Sequence, residues 1–322
     1  MRVKKIILYV GYVSVAVVFA ISIVLLFYSR NKNESGKAKR TIGASYMTMN
    51  NPYFEVINEE IKAVVENKGD VLETRDSAMN AEVQAEQVEG FINEKVDCIL
   101  INAVDWKAIG SSLKKAKKAG IPVIAVDTLV YDQSLVDGIV VSDNYEAGAQ
   151  CAKDLMKRKK KGKILFLVQS ENKSAIDRIK GFKETLEKAG WNYENIGDIE
   201  CKGQLEVSQP LVENVLTKTK DIDVVVALND PSAMGAMAAL DADHMLSDVL
   251  VYGADGSPEA KTMIYKNRMT ATAAQSPRIT GKKTVEMLYK ILAGKPVESQ
   301  YIVPVRLITR DNVEDYSLSG WQ

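Results

Sequence analysis

Histidine and cysteine are scarce in this chain: one His and three Cys among 322 residues. Cys98, Cys151 and Cys201 are odd in number, widely spaced and free of any CxxC pair. That excludes a disulfide framework and a thiolate zinc site as organising features. Cys98 lies in the apolar run Val96–Ile101 and reads as a small core residue. His244, close to Asp241 and Asp243, reads as a solvated helix end rather than a metal ligand. An excess of charge is also missing, with 42 Lys and Arg against 42 Asp and Glu. Bulk electrostatics therefore point to no nucleic-acid partner. The basic run Lys157–Lys163, six residues in seven, is local. Solvation and a favourable helix C-terminus account for it.

The first forty residues bear on location. Ile6–Tyr28 is a 23-residue stretch without charge, preceded by Arg2, Lys4 and Lys5. A membrane-spanning helix takes about 20 residues, whereas the apolar region of a secretory signal takes about 7–15 and ends at a small-residue cleavage site. Leu25–Tyr28 offers no such site, and no cysteine follows for lipid attachment. The expectation is an uncleaved single-pass anchor, residues 1–28, with a cytoplasmic tip and a polar linker over 29–40. The remainder would then lie on the extracytoplasmic side of the cell membrane. Arg30, Lys32, Lys37, Lys39 and Arg40 make the second flank basic as well, so flanking charge alone leaves orientation open.

From Arg40 onward, short β-branched runs alternate with amphipathic helical patterns. Strands are predicted at Thr41–Met47, Val71–Thr74, Cys98–Asn102, Val123–Val126 and Ile139–Val141. A second series follows at Lys163–Val168, Ile196–Cys201, Val224–Leu228, Val249–Tyr252 and Thr270–Ala274. Helices are expected between them, including Tyr53–Asn67 and Trp106–Ala119, the latter capped by Asp105 and stopped by Gly120. Two series of similar rhythm imply an α/β chain with two Rossmann-like lobes, each on a parallel sheet.

Several of these strands end in a polar residue. Ile101 runs into Asn102, Val126 into Asp127, Leu228 into Asn229, Ala254 into Asp255 and Ala274 into Gln275. Each could cap a helix or start a turn. Five such ends over two sheets also suit a ligand cleft, because open α/β sheets bind at the carboxyl ends of their strands. The stretch Asn50-Asn51-Pro52-Tyr53-Phe54 follows the first strand and opens a helix. It presents amides for hydroxyl groups and aromatic faces for the C–H side of a sugar ring.

The order and spacing of these motifs resemble the ribose-binding-like, type I periplasmic sugar-binding proteins of bacterial ABC importers. The resemblance runs from about Thr41 to Asn312. Besides the stretches above it rests on Ser142-Asp143-Asn144, Arg178 with Gly181-Phe182, Asp230 after Asn229, Gly253-Ala254-Asp255-Gly256-Ser257-Pro258 and Ala274-Gln275-Ser276-Pro277. It implies two lobes joined by a three-crossover hinge, residues 41–142 with 276–304 and residues 143–275 with 305–316. A ligand would close between them, held by Asn51, Tyr53, Phe54, Asn102, Asp127 and Thr128 from the first lobe. Arg178, Asn229, Asp255 and Gln275 would serve from the second lobe and its hinge border.

The sequence departs from the ribose pattern in two places. Thr128 stands where ribose binders carry an arginine, and the second-lobe aromatic before the helix near Glu206 is replaced around Gly203 or Gln204. Another aldose or a cyclic polyol is therefore expected rather than ribose. The implied partner is an ABC permease, or alternatively a membrane sensor kinase or chemoreceptor. No cofactor or metal is called for, and the binding domain is expected to be monomeric. Asp127 and Asp255 could in principle form the carboxylate pair of a glycosidase; both suit ligand gripping, and no enzymatic activity is expected. A sugar repressor of the same fold would need an N-terminal DNA-binding segment, where this chain has Ile6–Tyr28. Trp106 and Trp191 read as packing residues.

Overall fold

Strands rich in Val, Ile and Ala, apolar on both faces, are what a helix-covered parallel sheet requires. In the computed structural model, which describes residues 39–322, they build two six-stranded sheets. The first contains β1 (Thr41–Tyr46), β2 (Val71–Asp76), β3 (Cys98–Ile101), β4 (Val123–Asp127), β5 (Gly138–Ser142) and β11 (Gln300–Val303). Its order is β11-β5-β4-β3-β1-β2, parallel throughout. The second contains β6 (Lys161–Val168), β7 (Asn192–Glu200), β8 (Val224–Ala227), β9 (Leu250–Asp255), β10 (Ala271–Ala274) and β12 (Arg306–Thr309). Its order is β12-β10-β9-β8-β6-β7, and only β12 runs antiparallel to its neighbour. The chain passes between the sheets three times, at residues 142–144, 274–277 and 303–306.

Adjacent strand residues point to opposite faces, and each sheet is accordingly packed on both. In the first, Ile42, Leu100, Ile124 and Val126 face one apolar layer, and Ile99, Ile101, Val123 and Ala125 the other. In the second, Leu165, Leu167, Val225 and Val251 oppose Ile164, Phe166, Val224 and Tyr252. The layers are completed by α1 (Pro52–Asn67), α2 (Ala81–Glu94), α3 (Gly110–Lys118), α4 (Asn144–Arg158) and α5 (Lys173–Lys188), then by α6 (Leu205–Leu216), α7 (Asp230–Ala242), α8 (Pro258–Tyr265) and α9 (Pro277–Leu292).

Most expected elements are present, with three differences. The helix expected from Trp106 begins at Gly110. Asp105 caps only a short turn, its Oδ1 accepting from the amides of Lys107 and Ala108, and Ile109 offers no side-chain cap. Strands β11 and β12, separated by Pro304, are four residues each, too short to carry a sequence signal. Strand β7 starts at Asn192, earlier than the apolar signal at Ile196, because a register shift opposite Ile164 and Leu165 absorbs an extra residue. The Ile6–Tyr28 run lies outside the described residues. Among the described residues, no helix is long and apolar enough to cross a membrane. The described cysteines are buried and free, and Lys159 and Lys163 of the basic run pair with Asp223 and Asp221.

Helices α4 and α5 approach most closely at two glycines. A Cβ on Gly148 would overlap the carbonyl of Arg178, and one on Gly181 the carbonyl of Tyr145. These absent side chains set the height of α5 and hence of Arg178. Gly148→Ala should force the helices apart and lower stability in urea unfolding by about 1–3 kcal/mol. Gly110→Ala, where a Cβ meets nothing within 4 Å, should stay within about 0.5 kcal/mol of wild type. Equal stability of the two variants would contradict the close-packing argument.

Candidate functional site

The carboxyl ends of β4 and β9 each finish in an aspartate with positive φ, 67° at Asp127 and 135° at Asp255. Such backbone is unfavourable for a residue with a Cβ and persists where the surroundings enforce it, often at ligand sites. Both carboxylates are almost fully buried, at 4% and 2% exposure. Asp127 Oδ1 and Asp255 Oδ2 have no hydrogen-bond partner among the described residues. Both line one cleft between the sheets, of about 330 Å³.

A chain of polar contacts crosses this cleft. The Tyr53 hydroxyl donates to Gln275 Oε1 at 3.3 Å, and Gln275 Nε2 donates to Asp255 Oδ1 at 2.7 Å. Arg178 Nη1 lies 3.7 Å from the same Asp255 oxygen. The guanidinium is fixed from behind, Nε donating to Asn144 Oδ1 and Nη1 to the Leu228 carbonyl, each at 2.8 Å. Asn144 opens α4, so the glycine-mediated contact of α4 with α5 also aims the arginine. Across the cleft, Ser174 Oγ donates to the Asp127 carbonyl at 2.7 Å and Asn50 Nδ2 to Glu206 Oε1 at 3.0 Å.

Eight of the ten residues expected from sequence share this wall. Asn51, Tyr53 and Phe54 come from the start of α1, where Asn51 Oδ1 caps the helix through the Tyr53 amide. Asp127 joins them from β4, and Arg178, Asn229, Asp255 and Gln275 come from the other side. Asn229 caps α7 through the Ser232 amide and donates to the Gly203 carbonyl at 2.9 Å, leaving one N–H for the cleft. The other two lie off the wall. Asn102 sits beneath Asp127, accepting from the Met47 amide and donating to the Val126 carbonyl and, at 3.4 Å, to Asp127 Oδ2. Thr128 is fully buried, its Oγ1 accepting from the Ser174 amide. It sits in the loop behind the wall, with this acceptor engaged by the backbone.

Other wall residues carried weak sequence signals. Gln169 follows β6 and its buried Nε2 lacks a partner among the described residues. Asp230, next to Asn229, is buried and accepts from the Ser257 amide and the Thr272 hydroxyl. Trp321, far from any strand end, had no signal at all.

Burial pushes the Asp255 carboxyl well above the ordinary aspartate range; Arg178 pulls it back, while Asp230 and Asp127 push it further. Asp127 is raised by burial and pulled back by Arg178. The Tyr53 hydroxyl is raised by burial and then by both aspartates, so it stays a donor at neutral pH. A site of this kind offers carboxyl oxygens as acceptors, a fixed planar donor and aromatic surface. Among the described residues no cluster of His, Cys, Asp and Glu has the arrangement to hold a metal ion.

Residues 42–296 match the model of the periplasmic binding protein domain. The chain belongs to that family. It is 30% identical to the ribose import binding protein of Escherichia coli (strain K12), covering 88% of this chain and 95% of that one. Against the ribose import binding protein of Bacillus subtilis (strain 168) the identity is 29%, covering 92% and 99%. An ABC transporter solute binding protein from Bacillus halodurans C-125 with bound myo-inositol superposes with a TM-score of 0.80 at 26% identity, over 88% of this chain and 98% of that one. One from Mycobacterium smegmatis with bound glycerol gives 0.81 at 26% identity, over 88% and 100%. The resemblance read from the strand-end motifs is therefore a family membership.

The raised aspartates carry a consequence for stability. A carboxyl whose folded pKa exceeds its unfolded one keeps its proton in the native state after the unfolded chain has released it, so stability is lost as pH rises from the ordinary aspartate range through the raised value. Asp255→Asn should thus gain stability relative to wild type as pH rises from about 4 towards 7, measured by urea unfolding of both proteins. A difference that shrinks over that range would contradict the assignment.

Proposed function

We propose that this protein is an extracytoplasmic binding protein that captures a monosaccharide or related polyol between its lobes and delivers it to an ABC-type importer. The observation that carries this reading is the pair of buried carboxylate oxygens, Asp127 Oδ1 and Asp255 Oδ2, unpartnered among the described residues and lining the same cleft. An unmet buried acceptor is unfavourable until a donor reaches it. Vicinal hydroxyls are suited to both, and Arg178 donates in turn to hydroxyl or ring oxygens. Neutral hydrogen bonds each contribute about 0.5–1.5 kcal/mol, so micromolar binding near about −8 kcal/mol needs a dense polar ring. The bound myo-inositol and glycerol of the two solved relatives are ligands of this chemistry. Residues 1–28 serve as the membrane anchor in this reading.

Truncation of Asp127 or Asp255 to Ala should weaken binding by about 1.5–3 kcal/mol, the range for hydrogen bonds to charged groups, with folding intact. The ligand comes from a thermal-shift screen of monosaccharides and polyols, since a ligand selective for the folded state raises its melting temperature. Wild-type affinity in both variants would remove the aspartates from the site. Ribose should not rank first in calorimetry: Thr128 supplies no guanidinium and turns its hydroxyl to the Ser174 amide. Ribose as the tightest binder would refute that argument.

Binding works by hinge closure in this reading, residues 41–142 with 276–304 closing on 143–275 with 305–316. The contacts Asn50–Glu206 and Ser174–Asp127 join the two sides and support it. Small-angle scattering should give a smaller radius of gyration at ligand saturation. An unchanged radius with binding confirmed would refute closure.

A further inference from the structure

We infer that Trp321 and Gln322 form a tethered aromatic wall of the cleft that helps to set its affinity; this rests on the reading of the cleft as a sugar or polyol site. After β12 the chain packs Val313, Tyr316 and Leu318 against the core of the second sheet. By Trp321 it has crossed to the core of the first, where the indole meets Tyr53 edge to face at 5.8 Å. Residues 318–321 therefore bridge the two lobes beside the ligand cleft, and Trp321 lines it.

The bridge is held by specific groups. Lys261, 1% exposed in α8, donates from Nζ to the Gly320 carbonyl and to Gln322 Oε1. Gln322 Nε2 donates to the carbonyls of Asp255 and Gln275. Both ends of the Gln322 amide are thus engaged, against the strand ends that present the two polar site residues. Gly256, at φ 73°, makes room: a Cβ there would collide with Gln322. A tail serving only to cover the surface has no need of a buried lysine and two backbone acceptors at the site.

The three aromatics on the cleft wall are not equivalent. Tyr53 is 1% exposed and Phe54 6%, whereas Trp321 keeps part of its surface open. The loop 202–204 also lines the cleft, but Gly203 there has φ 69°, where any side chain is strained. Of the three, Trp321 is therefore the one with surface left to meet the C–H side of a ring. Because it is tied to the second lobe and packed on Tyr53 of the first, a shift of one lobe against the other changes its surroundings.

The test uses the full chain and the best-binding compound of the monosaccharide and polyol panel. In calorimetry Trp321→Ala should lose about tenfold in affinity, the scale of one good aromatic contact, and Trp321→Phe much less. Gln322→Ala should lose affinity as well, since the indole is then untethered. Unchanged or tighter binding by Trp321→Ala overturns the wall, the latter marking the tail as an obstruction. Failure of the wild type to bind any panel member refutes the sugar reading instead. The tether is read separately, without ligand, from acrylamide quenching of Trp321 emission, taken as wild type minus Trp321→Phe. Trp321, half-buried in the otherwise native chain, should be partly shielded there and more strongly quenched in Gln322→Ala. Equal quenching in both overturns the tether whatever the panel shows.

Discussion

A single guanidinium holds together a cleft that is otherwise overloaded with negative charge. Asp127, Asp230 and Asp255 are all buried around Arg178, and each is held down by it against the effect of burial. Buried charges are tolerated when paired and hydrogen-bonded, and removal of one partner leaves the other uncompensated. Asp230 resolves its share through Ser257 and Thr272. Asp255 has Gln275 on one oxygen and nothing among the described residues on the other. Among the described residues the site is thus short of hydrogen-bond donors. Positioning of Arg178 explains features distant from the cleft, including the glycines of α4 and α5 and the buried Asn144.

That much of this site was visible in the sequence follows from its architecture. In a parallel sheet the strand is apolar to its end, so the first polar residue after it stands at the rim where ligands bind. Asp127, Asn229, Asp255 and Gln275 were found on that rule. The same rule pointed to Asn102, and the ribose pattern to Thr128; both lie off the cleft wall. The strand ends at Asp127 with a positive φ, and its successor Thr128 turns into the protein, where its hydroxyl accepts from the Ser174 amide. Asn102 stands a step back, where its amide ties β1 and β4 together below the wall.

Other features had no local pattern to reveal them. Strands β11 and β12 owe their existence to the open edges of β5 and β10, not to their own four residues. Asp105 carries a good helix-capping side chain, yet the turn it caps does not propagate, and the helix waits for Gly110. Trp321 reaches the cleft because its neighbours Gly320 and Gln322 are held by Lys261 and by the carbonyls of Asp255 and Gln275. No spacing along the chain encodes those contacts.

The late arrival of β11 has a consequence for how the molecule assembles. The first sheet is complete only when residues 300–303 add to β5, after the strands of the second sheet up to β10 have been laid down. The second in turn receives β12 last of all, antiparallel on β10. Neither lobe corresponds to a continuous stretch of chain, so neither can be finished as the polypeptide emerges from its N-terminal side. Closing such long loops is entropically slow, and it leaves strand edges unpaired in the meantime. During synthesis the edges of β5 and β10 are therefore the surfaces in most need of protection from other chains.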